Sequence, residues 1–277
     1  MVSEVVTTTA VVLCALLFVM LYFVEPADDA VAAEVLLGDG REGEGWLPPI
    51  FVDFTGTTDP SLKTFEDAVL ETKRMRIHGI TLIMSIRVSA LAYLLLDEKL
   101  PWAEELFGNL RHGVRLMLYI EEHDDYVAKL LAYLFRRFPD MSGRVLVVSA
   151  SPMFLFTLGG NNKTIVKALA WRPCAVAYKD WKCTVRSNEK LGWHMVALAA
   201  DWLYAWFFEW GLLTRVSMAS AVVVDASLVS SRFVRRWSDR GLRVLALASD
   251  DPGEQEYLRR VVRVPIIARY SSFSGRQ

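Results

Sequence analysis

Apolar positions along the chain come in two kinds of run. The first is a single long one, Val5–Val24, twenty residues without a charge and apolar on every side. That length and evenness predict one transmembrane helix rather than an amphipathic surface helix. From Ile50 the runs become short and alternate in period. Ile50–Phe54 reads as a strand ending at the turn signal Thr55-Gly56, and Phe65, Ala68, Val69, Thr72 and Met75 then recur at helical spacing up to Gly79. Ile80–Val88 and Leu91–Leu96 are β-branched and apolar and predict two further strands. A helix beginning at Pro101 carries Trp102, Leu106 and Leu110 on one face and stops at Gly113. Next come a strand over Val114–Ile120 and a helix carrying Tyr126, Leu130, Leu134 and Phe138. Arg144–Ser149 follows as a strand, Pro152–Leu158 as a short helix, Gly159-Gly160-Asn161 as a turn and Ile165–Ala170 as another strand. Strands alternating with helices predict βαβ units and a parallel sheet, with any chemistry just past the C-terminal strand ends.

Composition sharpens this picture at the edges. A net charge of −1 gives no basic field for nucleic acid, and 53% hydrophobic residues exclude disorder. A secretory signal peptide is the competing reading of residues 1–24, but Glu4 is the only early charge where a basic region is wanted. Residues 25–48, containing GDGREGEG and closed by Pro48-Pro49, read as a linker, and 49–277 as one globular domain. Cys174 and Cys183 could pair in an oxidising compartment or stay as two thiols; their spacing is not a zinc signature.

Candidate chemistry is sparse. Glu121, Glu122, His123, Asp124 and Asp125 form an acidic cluster that suits either a metal or the N-terminus of the helix that follows. His78 and His112 each precede a glycine at a helix end. Residues 191–213 place Trp202, Trp206 and Trp210 on one stripe, interrupted by His194, Asp201 and Glu209. Two carboxylates near the middle argue against a spanning helix, leaving a helix at the bilayer surface or an ordinary aromatic core helix. Arg232, Arg235 and Arg236 read as a solvated face with Phe233 and Trp237 inward. Asn162 heads a glycosylation sequon.

The segments VVSASPMFLFTLGGNNKTIVKALAWRP, WHMVALAADWLYAWFFEWGLL and AVVVDASLVSSRFVRRWSDRGLRVLAL, with DEKLPWAEEL upstream, resemble the glycerophosphodiester phosphodiesterase family, in particular its membrane-anchored animal type. The resemblance covers about residues 50–268. It implies a (β/α)8 barrel of the phospholipase C-like phosphodiesterase type, behind one transmembrane helix. In that family two histidines act as general acid and base, and carboxylates hold a divalent cation against the phosphodiester. Carried over position by position, the His-Arg pair falls on Asp53 and Phe54, and the Glu-x-Asp on Thr81 and Ile83. The second histidine falls on Leu96, with Asp97 kept, and the acidic-x-Lys pair on Tyr119 and Glu121. The expectation is a membrane-anchored family member that keeps the barrel and has lost the hydrolytic site, acting in binding or regulation. The alternative is a working hydrolase whose remodelled site uses Asp97, Glu121, Glu122, His123 and Asp124. No cofactor is expected, or Mg or Ca only under the alternative. The expected partners are a membrane, through the N-terminal helix and the 191–213 segment, and a ligand derived from glycerophospholipid. The resemblance places the barrel on the lumenal or extracellular side.

Overall fold

The computed structural model describes residues 26–37, 47–53, 82–87, 115–120, 125–161, 164–178, 183–187 and 190–269. Eight short strands close into a parallel barrel in sequence order: β1 Ile50–Asp53, β2 Leu82–Arg87, β3 Leu116–Ile120, β4 Val145–Ser149, β5 Val166–Ala170, β6 Ala221–Asp225, β7 Arg243–Leu247 and β8 Ile266–Arg269. β8 pairs with β1, setting Phe51 level with Ile267 and Asp53 level with Arg269. Strands apolar on both faces are what such a sheet demands, because both faces are covered. Phe51, Met117, Val148, Val166, Val223 and Leu245 fill the interior, while Val52, Leu118, Val147, Leu169, Val222 and Val244 point into the layer beneath the helices.

The described helices are α1 Asp29–Leu37, α2 Asp125–Arg137, α3 Pro152–Asn161, α4 Leu191–Glu209, α5 Leu212–Val216, α6 Ser231–Ser238 and α7 Pro252–Tyr257. On α2, Val127, Leu131, Leu134 and Phe135 are buried, one amphipathic face laid on the barrel. Ser230 caps α6 by accepting from the Phe233 N–H at 3.2 Å, and Asp251 caps α7 by accepting from Gly253 and Glu254.

Four expectations change. Part of the 25–48 linker is helix α1, whose Ala32, Val35 and Leu36 are buried in the cluster that fills the barrel interior. Its Asp29 accepts from Arg243, the first residue of β7, at 2.6 Å, so α1 sits at the N-terminal end of the barrel. The run that reads fourth along the sequence, Leu116–Ile120, is the third strand of the barrel, and Leu91–Leu96 lies outside the described residues. Gly159-Gly160-Asn161 is the last turn of α3 rather than a loop, for a packing reason given below. The aromatic helix ends at Glu209, where Gly211 takes a left-handed φ of 75° and starts α5. Val5–Val24 lies outside the described residues, and among those described no helix is long and apolar enough to cross a membrane.

Candidate functional site at the barrel mouth

Strand parity decides what lines the C-terminal mouth. Phe51, Met117, Val223 and Ile267 face the interior, and the mouth lies two residues further along each of these strands. Those positions are Asp53, Tyr119, Asp225 and Arg269. On β2, Ile83 is level with Phe51 and Ser85 with Asp53, while Arg87 at the strand's end is level with Tyr119. Asp53, Arg87, Asp225 and Arg269 thus end β1, β2, β6 and β8 at the mouth, and Tyr119 stands one residue short of the end of β3. Tyr119 is half-buried and packs on the interior cluster. The Asp225 carboxylate is engaged locally, accepting from the Ser227 N–H at 2.9 Å and its hydroxyl at 2.6 Å.

The positions of the residue transfer are only partly among the described residues. Thr81 lies outside the described residues, and Ile83 is only the second residue of β2, below the mouth. The end of that strand is Arg87. Tyr119 does stand at the mouth. Phe54, Leu96 and the cluster Asp97, Glu121, Glu122, His123 and Asp124 lie outside the described residues, as does Asn162. Among the described residues no group of three His, Cys, Asp or Glu side chains could hold a metal ion. The segment Leu247-Ala248-Ser249-Asp250 past β7 serves to start α7. There the Ser249 N–H and hydroxyl donate to Glu254, and Gln255 donates back to the Ser249 carbonyl at 2.9 Å.

Around the rim the loops are tied to helices. The Tyr204 hydroxyl of α4 donates to the Ala150 carbonyl just past β4 at 3.2 Å, and burial pushes its pKa up. Past β5, Asp201 of α4 accepts from the Val176 and Ala177 N–H groups at 2.8 Å each. Cys174 and Cys183 close the same loop as a disulfide, with Cα atoms 6.1 Å apart. A shallow cleft near Leu47, Ile50 and Arg259 opens at the other end of β1, where Arg259 donates to the Pro48 carbonyl at 3.0 Å. In barrels that face serves stability.

Sequence reasoning missed Arg87, Asp225 and Arg269. Each is a single charged residue ending an apolar run, and only the register shows that these ends converge.

Together these features define a closed parallel eight-stranded barrel with charged residues ending four of its strands at the C-terminal mouth. The chain is similar in sequence to the glycerophosphodiester phosphodiesterases. It is 22% identical over 163 residues to glycerophosphodiester phosphodiesterase 1 of Mus musculus and of Homo sapiens, and 23% identical to that of Bos taurus. The matched region is 58% of this chain and 48% of each relative, so the chain spans about half the length of the curated relatives it matches. No protein-family model matches it. Among solved structures, a glycerophosphoryl diester phosphodiesterase from Parabacteroides distasonis aligns over 91% of this chain and 93% of its own at 13% identity and a TM-score of 0.47. A dihydrodipicolinate synthetase from Pseudomonas aeruginosa aligns over 81% of this chain and 71% of its own at 10% identity and a TM-score of 0.45. The relationship rests on the sequence likeness, and the fold on the barrel's own strand pairing.

Proposed function

We propose that this chain is a membrane-anchored barrel of the glycerophosphodiester phosphodiesterase family that binds a phosphate-bearing ligand derived from glycerophospholipid and does not hydrolyse it. The observation that carries this reading is the set of residues at the strand ends. Hydrolysis of a phosphodiester needs its negative charge offset and a proton for the departing alkoxide. Where the resemblance puts the family's cation ligands, this chain has Thr81 and Tyr119, weak neutral ligands, and Ile83, which has no donor atom, while β2 itself ends at Arg87. Those residues do not fit a divalent cation, and arginines at two strand ends, Arg87 and Arg269, disfavour one further. Guanidinium groups suit phosphate oxygens instead, as planar paired donors that stay charged. Asp53 could accept a proton, but Leu96 cannot supply the second partner.

The test is turnover and binding on the same preparation. Full-length protein given a glycerophosphodiester with Mg or Ca releases no phosphate ester above background. Calorimetry then detects binding that weakens by roughly tenfold or more in Arg269→Gln. Robust turnover abolished by Glu121→Gln or His123→Ala would overturn this reading and establish the remodelled hydrolase.

A further inference from the structure

Helix α4 is built the wrong way round for a helix that merely covers a barrel. Its fully inward side chains are few: His194, Ala197 and Phe208 are buried, and Tyr204 reaches the Ala150 carbonyl. Its outward side carries Trp193, Met195, Val196, Trp202, Trp206 and Trp210, with Trp202 and Trp210 68% and 69% exposed. Monomeric soluble proteins rarely leave so continuous an apolar surface uncovered.

The charges of α4 make the asymmetry sharper. His194 is buried and meets the edge of Tyr178, ring centroids 5.3 Å apart. Asp201 is spent on the Val176 and Ala177 N–H groups. Glu209 pairs with Arg236, and its carbonyl accepts from Arg240 at 2.8 Å. Both carboxylates that interrupt the tryptophan stripe are therefore engaged by the protein, His194 is buried with its Nδ1 unpartnered, and the stripe itself is uncharged. Val176 within the disulfide-closed loop and Val185 just past it are exposed as well, and Asp201 holds Val176 against the helix. The apolar surface thus continues from the helix onto the loop.

Charge complementarity identifies what covers this surface. The Arg236 and Arg240 contacts fasten α6 beside the C-terminal end of α4, and α6 brings exposed Arg232 and Arg235 with it. Lys190 is exposed at the other end. An uncharged aromatic strip bordered by cations matches the boundary between acyl chains and anionic headgroups, where tryptophan is enriched and arginine meets phosphate. A strip about 28 Å long at the helical rise can lie along that boundary. A second copy of this chain would bring the same cations against its own, which disfavours a face-to-face pair.

We infer that α4, with Val176 and Val185 beside it, seats the barrel on an anionic bilayer surface, with the tryptophans at headgroup depth and the α6 arginines against the lipid phosphates. The inference stands apart from the ligand at the barrel mouth and from the N-terminal run.

The experiment must separate this contact from an anchor that would hold the full chain in vesicles by itself. Full-length protein is reconstituted into phosphatidylcholine vesicles with and without phosphatidylglycerol, and its tryptophan emission is read against lipids brominated near the headgroup end of the acyl chain. Quenching is expected, stronger with phosphatidylglycerol. The conservative variant with Trp193, Trp202, Trp206 and Trp210 all changed to phenylalanine should lose most of it, although five of the nine tryptophans remain. Arg232→Gln with Arg235→Gln should remove the dependence on phosphatidylglycerol. Quenching unchanged in the phenylalanine variant would overturn the inference. So would crosslinked dimers in dilute vesicles that Trp202→Glu with Trp206→Glu abolishes, since the face would then be a self-association surface.

Discussion

Lys167 shows how one buried group shapes its neighbours. It lies on β5 with the parity of Leu169, facing the helix layer, and is 1% exposed. Its Nζ donates to the Leu155 carbonyl of α3 at 3.5 Å. A Cβ at position 159 would run into that Nζ and stand 3.1 Å from Met218 Sδ. Glycine is kept inside α3 to let the ammonium pass, despite its cost to a helix. Gly159→Ala should therefore destabilise by about 1–3 kcal/mol. On a Lys167→Met background the loss should fall below about 1 kcal/mol, since the colliding atom is gone. Equal losses on both backgrounds in urea unfolding would sink the explanation. Burial also lowers the Lys167 pKa from 10.5 to about 8. The folded state then gives up its proton before the unfolded chain does, so stability rises with pH between about 8 and 10.5 and is flat below that window. The rise amounts to about 3 kcal/mol, and Lys167→Met should abolish it.

At the scale of elements, α6 and α1 answered differently to sequence reading. The pattern placing Phe233 and Trp237 inward holds: Trp237 is fully buried and Phe233 half-buried. Trp171 stacks on Phe208 with centroids 4.4 Å apart, and Phe208 meets Trp237 at 4.7 Å, so aromatic rings tie α4 and α6 to the end of β5. By contrast, α1 was hidden in a segment that reads as linker. Only nine residues long and rich in alanine, it has no wide apolar stripe, because its end-on seat needs only Ala32, Val35 and Leu36. Leu36→Ala should cost about 2–5 kcal/mol. Asp29→Ala should change stability by less than about 1 kcal/mol, since that carboxylate is 79% exposed. Both are read by denaturant unfolding of the full chain in detergent. A Leu36→Ala cost no larger than that of Asp29→Ala would remove α1 from the core.

For the whole molecule, the compartment is the open question with the most physical support. The Cys174–Cys183 disulfide closes a loop that Asp201 also holds, and such bonds persist where the surroundings oxidise. With Val5–Val24 as an anchor, the barrel is then proposed to lie in the lumen or outside the cell. Protease added to sealed microsomes should leave the barrel intact until detergent is present, and Asn162→Gln should abolish any glycosidase-sensitive mobility shift. Digestion without detergent would place the barrel on the cytoplasmic side and overturn the assignment.

The sequence by itself determined most of the barrel. Short doubly apolar runs separated by helical periods admit little except a parallel sheet buried on both faces, and that pattern survives without any knowledge of register. It also carried the family likeness, because that likeness lies in the order of strands, prolines and helix starts. Register, closure and long-range contact were decided only in three dimensions. Which strand ends meet at the mouth depends on pairing, as does the closure of β8 on β1. The approach of Lys167 to Gly159 and the engagement of Asp201 and Glu209 join residues on different elements. A sequence shows that a tryptophan stripe is interrupted by carboxylates. Only the packed molecule turns those carboxylates toward the protein and leaves the stripe facing outward.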